Sequence, residues 1–183
     1  DEDGSKKKMP GYSVKAIIED RNGDLLIGTW SAGLMRFRRG GNTFYSYPRL
    51  NTTNSAYSLF LDKHNHLWVG TWGYGVVRLD NTGNVRQPEM HQYPYSTNHF
   101  DTFYKIVHDP VTKTLWACTR EGVCYLEEDM PNADWKGYTS IGNNPLNFNN
   151  DIATNGKGNI WLCTQNNGIL QVNTQPSLFK LWN

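Results

Sequence analysis

A five-residue pattern that returns four times constrains this chain more than any other feature. Leu25-Leu26-Ile27-Gly28-Thr29, Leu67-Trp68-Val69-Gly70-Thr71, Leu115-Trp116-Ala117-Cys118-Thr119 and Ile160-Trp161-Leu162-Cys163-Thr164 align, their threonines 42, 48 and 45 residues apart. Shortly after each comes a glycine and an apolar residue: Gly33-Leu34, Gly75-Val76, Gly122-Val123 and Gly168-Ile169. Before each stands an apolar pair, Ile17-Ile18, Leu59-Phe60, Ile106-Val107 or Ile152-Ala153, followed by Asp20, Asp62, Asp109 or Asn155. Bulky residues three apart close each unit: Phe44 and Tyr47, Met90 and Tyr93, Trp135 and Tyr138, Phe179 and Trp182. Such repetition means one supersecondary unit built several times, each copy burying its neighbour.

Each unit reads as four short strands, a to d. The a–b connection carries turn chemistry, as in Asp20-Arg21-Asn22-Gly23-Asp24. The b–c connection is a few residues ending on glycine, as a hairpin requires. Four short strands per ~45 residues are the blade of a β-propeller. Strands a and b hold adjacent apolar residues, which predicts burial on both faces. The small column Gly28, Gly70, Cys118, Cys163 suits close approach of neighbouring sheets, and Trp68, Trp116 and Trp161 (Leu26 in the first copy) would fill the wider gaps. A helical solenoid is excluded, because no segment holds a 3.6-residue period over ten residues.

The expected fold is therefore all-β: a propeller segment of four four-stranded antiparallel blades, belonging to a larger propeller. Residues 1–13 read as a leader, with blades at 14–47, 48–93, 94–138 and 139–183. No strand is shared between the termini as a clasp. Blades 1 and 4 are thus expected to expose faces that invite pairing, in a homodimer or with remaining blades of a longer protein.

Composition narrows the function. The 183 residues carry 18 Lys+Arg against 17 Asp+Glu, so no charge excess argues for nucleic acid. Aromatics at 13% exclude a disordered chain, and 17 Gly with 20 Asn make it rich in turns. No apolar run approaches the ~20 residues of a membrane helix. The polar start, Asp1 to Pro10, is no signal peptide, so an exported protein would be read here in trimmed form. Cys118, Cys124 and Cys163 have no zinc spacing; buried free thiols are expected, with one bridge across a hairpin left open.

Strand parity locates a candidate site. In an antiparallel four-stranded blade the b–c and d–a connections fall at one end. The b–c connections bring Trp30, Trp72, Tyr74, Arg120, Glu121, Gln165, Asn166 and Asn167; the d–a loops add Tyr95, Asn98, His99 and Phe100. Aromatics, amides and a cation on one rim suit a sugar, whose flat face stacks while its hydroxyls are hydrogen-bonded. The ligand-binding candidates are Trp30, Trp72, Tyr74, Tyr95, His99, Arg120, Gln165 and Asn167, against the alternative that these residues only cap the disc or meet a neighbouring domain.

Other chemistry is weaker. Asp20-x-Asn22-Gly23-Asp24 lacks the bidentate Glu of a calcium loop and reads as a plain turn. His64-x-His66 has metal-pair spacing but sits in the a–b turn with no third ligand near it in sequence. Glu127-Glu128-Asp129 reads as a charged loop, and Asn51-Thr52-Thr53 is a bare glycosylation sequon. No catalytic residue, metal ligand or cofactor is assigned.

The stretch from Val14 through Asp20, Gly23, Leu25, Gly28-Thr29 and Gly33-Leu34 to Arg36-Phe37 resembles the two-component regulator propeller repeat, with Leu26 where that repeat has Trp. The copy from Leu67-Trp68-Val69-Gly70-Thr71 through Gly75 to Arg78, Leu79 and Asp80 matches closely; the last two have Cys before Thr, and the fourth has Asn155 for Asp. The resemblance implies the periplasmic sensor region of a hybrid two-component system: an inner-membrane histidine kinase responding to glycan-derived oligosaccharides, this segment being non-catalytic and its partners the remaining blades and sensor domains. Two alternatives stand beside it. Streptogramin lyase has similar blades and works through a histidine near a metal, for which His99 or His108 would be the candidates. A propeller scaffold acting only in dimerisation is the other.

Overall fold

The computed structural model describes residues 5–6, 13–47, 55–93, 102–128, 134–147 and 149–174. Among these there is no α-helix, only a 3-10 turn at Arg39–Gly41, and the strands form antiparallel sheets. The first sheet holds β1 (Ser5–Lys6), β2 (Val14–Glu19), β3 (Leu25–Thr29), β4 (Gly33–Arg38) and β5 (Thr43–Ser46). The second holds β6 (Ala56–Leu61), β7 (Leu67–Thr71), β8 (Val76–Asp80) and β9 (Glu89–Tyr93). The third holds β10 (Phe103–Asp109), β11 (Thr114–Thr119), β12 (Val123–Glu127) and β13 (Lys136–Tyr138). A small hairpin follows, β14 (Ser140–Ile141) with β15 (Asn144–Pro145); the last sheet is β16 (Asn149–Thr154), β17 (Asn159–Thr164) and β18 (Gly168–Asn173).

Within each blade, strands consecutive in sequence are neighbours in space. The first strands lie side by side from blade to blade: β2 against β6, β6 against β10 and β10 against β16. This is the arrangement of propeller blades around an axis, open here between blades 1 and 4. One feature departs from the sequence expectation: Ser5 and Lys6, read as leader, pair with Tyr45 and Phe44 and extend the outer edge of blade 1. Of blade 4, three strands fall among the described residues; its closing pair Phe179 and Trp182 lies outside them.

Three apolar clusters fill the three gaps. Leu26, Leu34 and Tyr47 meet Ala56, Leu67, Val69 and Leu79 between blades 1 and 2. Trp68 and Val76 meet Phe103, Ile106, Leu115 and Trp135 between blades 2 and 3. Trp116, Cys118 and Val123 meet Leu146, Ile152, Ile160 and Leu162 between blades 3 and 4. The column of Leu26, Trp68 and Trp116 thus packs against the next blade each time. Trp161, with no next blade among the described residues, is only half-buried. Inner strands β7 and β11 are buried along their whole length, whereas β2 and β18 alternate exposed with half-buried residues, as a sheet with one open face must.

The glycine column acts as its size predicts. A Cβ on Gly28 would stand 2.7 Å from the Ala56 carbonyl oxygen of the next blade. Between blades 1 and 2 a buried polar clamp joins the apolar contact. Arg36 reaches Asp24 with Nε (2.9 Å), Asp20 with Nη2 (2.5 Å) and the Thr82 carbonyl with Nη1 (3.0 Å), and Tyr47 donates to that same carbonyl at 2.7 Å. All five guanidinium hydrogens cannot be left dry without cost, so this fork fixes the blade angle as well as satisfying charge.

Candidate functional site

The rim is built by a turn common to all four blades. Thr29, Thr71, Thr119 and Thr164 each donate Oγ1 to the carbonyl of Gly33, Gly75, Gly122 and Gly168, at 2.8, 2.8, 2.9 and 3.0 Å. Three of those glycines have φ of 65–72°, which side-chain-bearing residues adopt at a cost. The recurring Thr and Gly of the sequence are thus the two ends of one hydrogen-bonded turn. The next blade docks against it: Trp30 bridges Ser55, and Trp72 bridges Thr102. The b–c and d–a connections therefore meet at one end, as parity requires.

A second device aims side chains at that rim. In every blade the a–b pairing skips one residue: between Val14 and Ala16, Ala56 and Ser58, Phe103 and Lys105, Asn149 and Asp151. The bulged residues are Lys15, Tyr57, Tyr104 and Asn150. A bulge re-aims its side chain and is a recurrent feature beside functional sites.

Bulge and turn residues together form a continuous aromatic surface across blades 1 to 3. Trp30 lies edge-on to Tyr57 (5.9 Å between ring centres) and to Trp72 (5.2 Å). Tyr57 meets Trp72 at 5.7 Å and Tyr104 at 5.6 Å, and Trp72 meets Tyr104 at 6.4 Å. Lys15 Nζ stands 5.8 Å from the ring centre of Trp30 and 5.2 Å from that of Tyr57. Trp30 and Trp72 remain 39% and 37% exposed despite these contacts. That exposure leaves part of each indole surface open to solvent. On the blade 4 side, Lys105 pairs with Asp151 at 2.6 Å, and Asn150 is exposed.

The predicted site residues divide accordingly. Trp30 and Trp72 come together. Tyr74 is exposed near them without a ring contact to either. Arg120 pairs with its neighbour Glu121 at 2.6 Å. Gln165 is exposed, and Asn167 donates to the Pro145 carbonyl at 3.0 Å, tying its loop to the small hairpin. Tyr95 and His99, with Asn98 and Phe100, lie outside the described residues. Lys15, Tyr57 and Tyr104 are the members that sequence reasoning missed. No sequence signal marks them, since a bulge is defined by the partner strand's register.

A second concavity, of about 990 Å³, opens between blades 3 and 4. Trp116, Tyr125 and Tyr138 line one wall as a stacked series, 4.9 and 5.8 Å between centres, with Lys136 over Tyr125. Ile160, Leu162 and Val172 form the other wall.

Of the two lyase candidates, His99 lies outside the described residues. His108 Nε2 stands 3.1 Å from Glu128, and its ring centre lies 6.2 Å from that of Phe60. Cys118 and Cys124 are buried free thiols, with burial pushing Cys118 up to about 12 and Cys124 well up; Cys163 is a free thiol too, but exposed.

The family described as "Two component regulator propeller" matches residues 8–31 and 52–73, each match running through strands a and b and ending within the turn that follows the threonine. Two of the four units therefore match the two-component regulator propeller repeat. No curated protein sequence matches it. Among solved structures, the extracellular domain of a hybrid two-component system of B. thetaiotaomicron superposes with a TM-score of 0.69 at 22% identity, over 89% of this chain and 22% of that one. PorZ, a surface component of the type-IX secretion system of Porphyromonas gingivalis, gives 0.65 at 15% identity, over 88% and 26%. Streptogramin B lyase gives 0.61 at 18% identity, over 92% and 57%. These likenesses establish the propeller fold. This chain spans about a quarter of the first two and just over half of the third.

Proposed function

We propose that this regulator propeller segment is the ligand-facing part of an extracytoplasmic sensor, binds an oligosaccharide on its aromatic rim, and performs no chemistry itself. The carrying observation is the surface of Trp30, Tyr57, Trp72 and Tyr104 with Lys15 over its edge. Half-exposed rings offer stacking area to the C–H face of a pyranose. Lys15 and Asn150 supply hydrogen-bonding groups at the two ends for the hydroxyls. A chain of several sugars would touch strands from three blades at once. Binding would then favour one relative angle of the blades, which is how a repeat array converts occupancy into a shape change. The output would be a histidine kinase across the inner membrane, reached through further blades and sensor domains of the same protein. The exposed Ile17 and Ile169 at the two ends of the array support such neighbours, or a second copy in a homodimer.

The test is a glycan array followed by titration under tryptophan fluorescence. Saturable binding of a defined oligosaccharide is expected, weakened about fivefold or more by Trp72→Ala and by Tyr57→Ala, since a lost stacking pair is worth ~1 kcal/mol or more. Circular dichroism would show both variants folded. No binding across the array, or unchanged affinity in both variants, would overturn the reading. Metal-dependent turnover of a cyclic peptide lactone, lost in His108→Ala, would replace it with the lyase.

A further inference from the structure

The end of blade 2 opposite the aromatic rim gathers two histidines and two carboxylates on one face of the sheet. Asp80, closing β8, is paired in register with Glu89 of β9, and Arg78 with His91. His66 immediately precedes β7, whose Leu67 is paired with Leu79 of β8. His66, Asp80 and Glu89 therefore form a row across three adjacent strands, with His91 one row further in. His91 Nε2 lies 3.0 Å from Asp80 Oδ2 and 3.6 Å from Glu89 Oε1. His66 Nε2 lies 3.8 Å from Asp80 Oδ1. Ligand atoms of Asp80, Glu89 and His91 all fall within 4.8 Å of one another.

Three further features point to a cation. First, His91 Nε2 is shielded from solvent yet forms no hydrogen bond of acceptable geometry with either carboxylate beside it. Second, His66 is held in one orientation: its Nδ1 is 2.9 Å from Asp62 Oδ2, and Asp62 is itself fixed by Trp68 Nε1 at 3.0 Å. A carboxylate on Nδ1 sets the tautomer that turns the Nε2 lone pair outward, the arrangement found behind metal-bound imidazoles. Third, among the described residues Arg78 is the one Lys or Arg paired with this cluster, gripping both oxygens of Asp80 at 3.0 Å, while Asp62 and Glu89 pair with no Lys or Arg. Each carboxylate oxygen has two lone-pair directions, so this grip leaves one on each oxygen. Arg78 is in turn braced by Tyr93 at 3.2 Å and by the Trp68 ring.

We propose that this edge of blade 2 binds one divalent transition-metal ion of the zinc type through His66 Nε2, Asp80, Glu89 and His91 Nε2. Two imidazoles with two carboxylates form a borderline donor set that suits zinc and disfavours calcium or magnesium. The ion would tie the a–b turn to the outermost strand, joining the two sides of the blade that the hydrogen-bond ladder connects only through β8.

The experiment titrates zinc chloride into the chelator-treated 183-residue chain by calorimetry, with Co²⁺ as a spectroscopic substitute. One equivalent of zinc and the intense visible bands of four-coordinate Co²⁺ are expected, with a melting temperature that rises with zinc. His91→Ala and His66→Ala should each weaken binding about a hundredfold. Asp62→Asn, which keeps all four ligands, should weaken it by about 10–100-fold through the loss of orientation. His64→Ala is the control: its ring lies 5.8 Å from that of His66 but outside the row, and its loss should leave affinity unchanged. Absence of saturable binding would make the cluster a plain ionic network centred on Asp80. Wild-type affinity in His91→Ala, or loss confined to His64→Ala, would also overturn the assignment.

Discussion

One side-chain oxygen organises each a–b turn. Asp20 Oδ1 accepts the amides of Asn22 and Asp24, Asp62 Oδ1 those of His64 and His66, and Asn155 Oδ1 those of Lys157 and Asn159. That job needs one acceptor and no charge, which explains why Asn replaces Asp in the fourth repeat. The second oxygen is free for something local: Arg36 in blade 1, the His66 ring and Trp68 in blade 2, Thr112 and Thr174 in blade 3. Burial alone would raise the Asp62 carboxyl, but hydrogen bonds from Trp68, the His66 amide and the His66 ring outweigh it and hold the group below its ordinary 3.8. In the acid window the unfolded chain thus binds the extra proton, and stability rises with pH there. Asp62→Asn keeps the turn and loses the charge-assisted bonds. It should cost about 1–3 kcal/mol at neutral pH. Urea denaturation in chelator at several pH values would show that gap constant above about pH 5 and closing as pH falls below about 4. A gap independent of pH would mean the carboxylate's charge contributes nothing.

At the scale of the element, spacing between sheets is set on strand b. A Cβ on Gly70 would press on Ser58 Oγ and stand 2.9 Å from both the Cβ and the carbonyl oxygen of Phe103 in the next blade. Backbone cannot yield as a flexible side-chain tip does, so Gly70→Ala should cost about 1–3 kcal/mol or more, read as a lower urea midpoint at unchanged slope. The same change at Gly73, around which a Cβ meets nothing within 4 Å, strains only its φ of 85° and should cost less. The small column was legible in the sequence because a close approach restricts residue size. So were the Trp column and the rim of Trp30 and Trp72, because the repeat alignment fixes the position in each blade and strand parity fixes the end. The bulges were not. Lys15, Tyr57, Tyr104 and Asn150 share no residue type, and a skipped residue in the a–b ladder leaves no mark in a single strand's pattern. The surroundings of His66 were not legible for a related reason: Asp80 reaches it from the neighbouring strand, 14 residues away, where sequence spacing shows no partner.

Across the whole molecule, the two ends of the array differ from its middle. Gly28, Gly70 and Cys118 are covered by a following blade, while Cys163, at the same position of blade 4, is exposed alongside Ile169 at 69%. The three thiols therefore report on how far the array continues. Thiolates are the reactive form, and burial disfavours them at Cys118 and Cys124. An aromatic disulfide reagent at pH 8 should titrate one thiol per folded 183-residue chain and three once it is unfolded in guanidinium; Cys163→Ser should abolish the folded-state signal. The informative comparison is with a chain carrying one further blade after residue 183. If that blade packs on blade 4 as blade 2 packs on blade 1, it lies over the Cys163 position as Ala56 lies over Gly28, and the fast-reacting thiol disappears while the unfolded count stays at three plus any new cysteines. A Cys163 that keeps reacting at full rate in the longer chain would mean that the face stays open. Its cover would then have to come from a second copy, whose presence would show as loss of labelling with rising protein concentration.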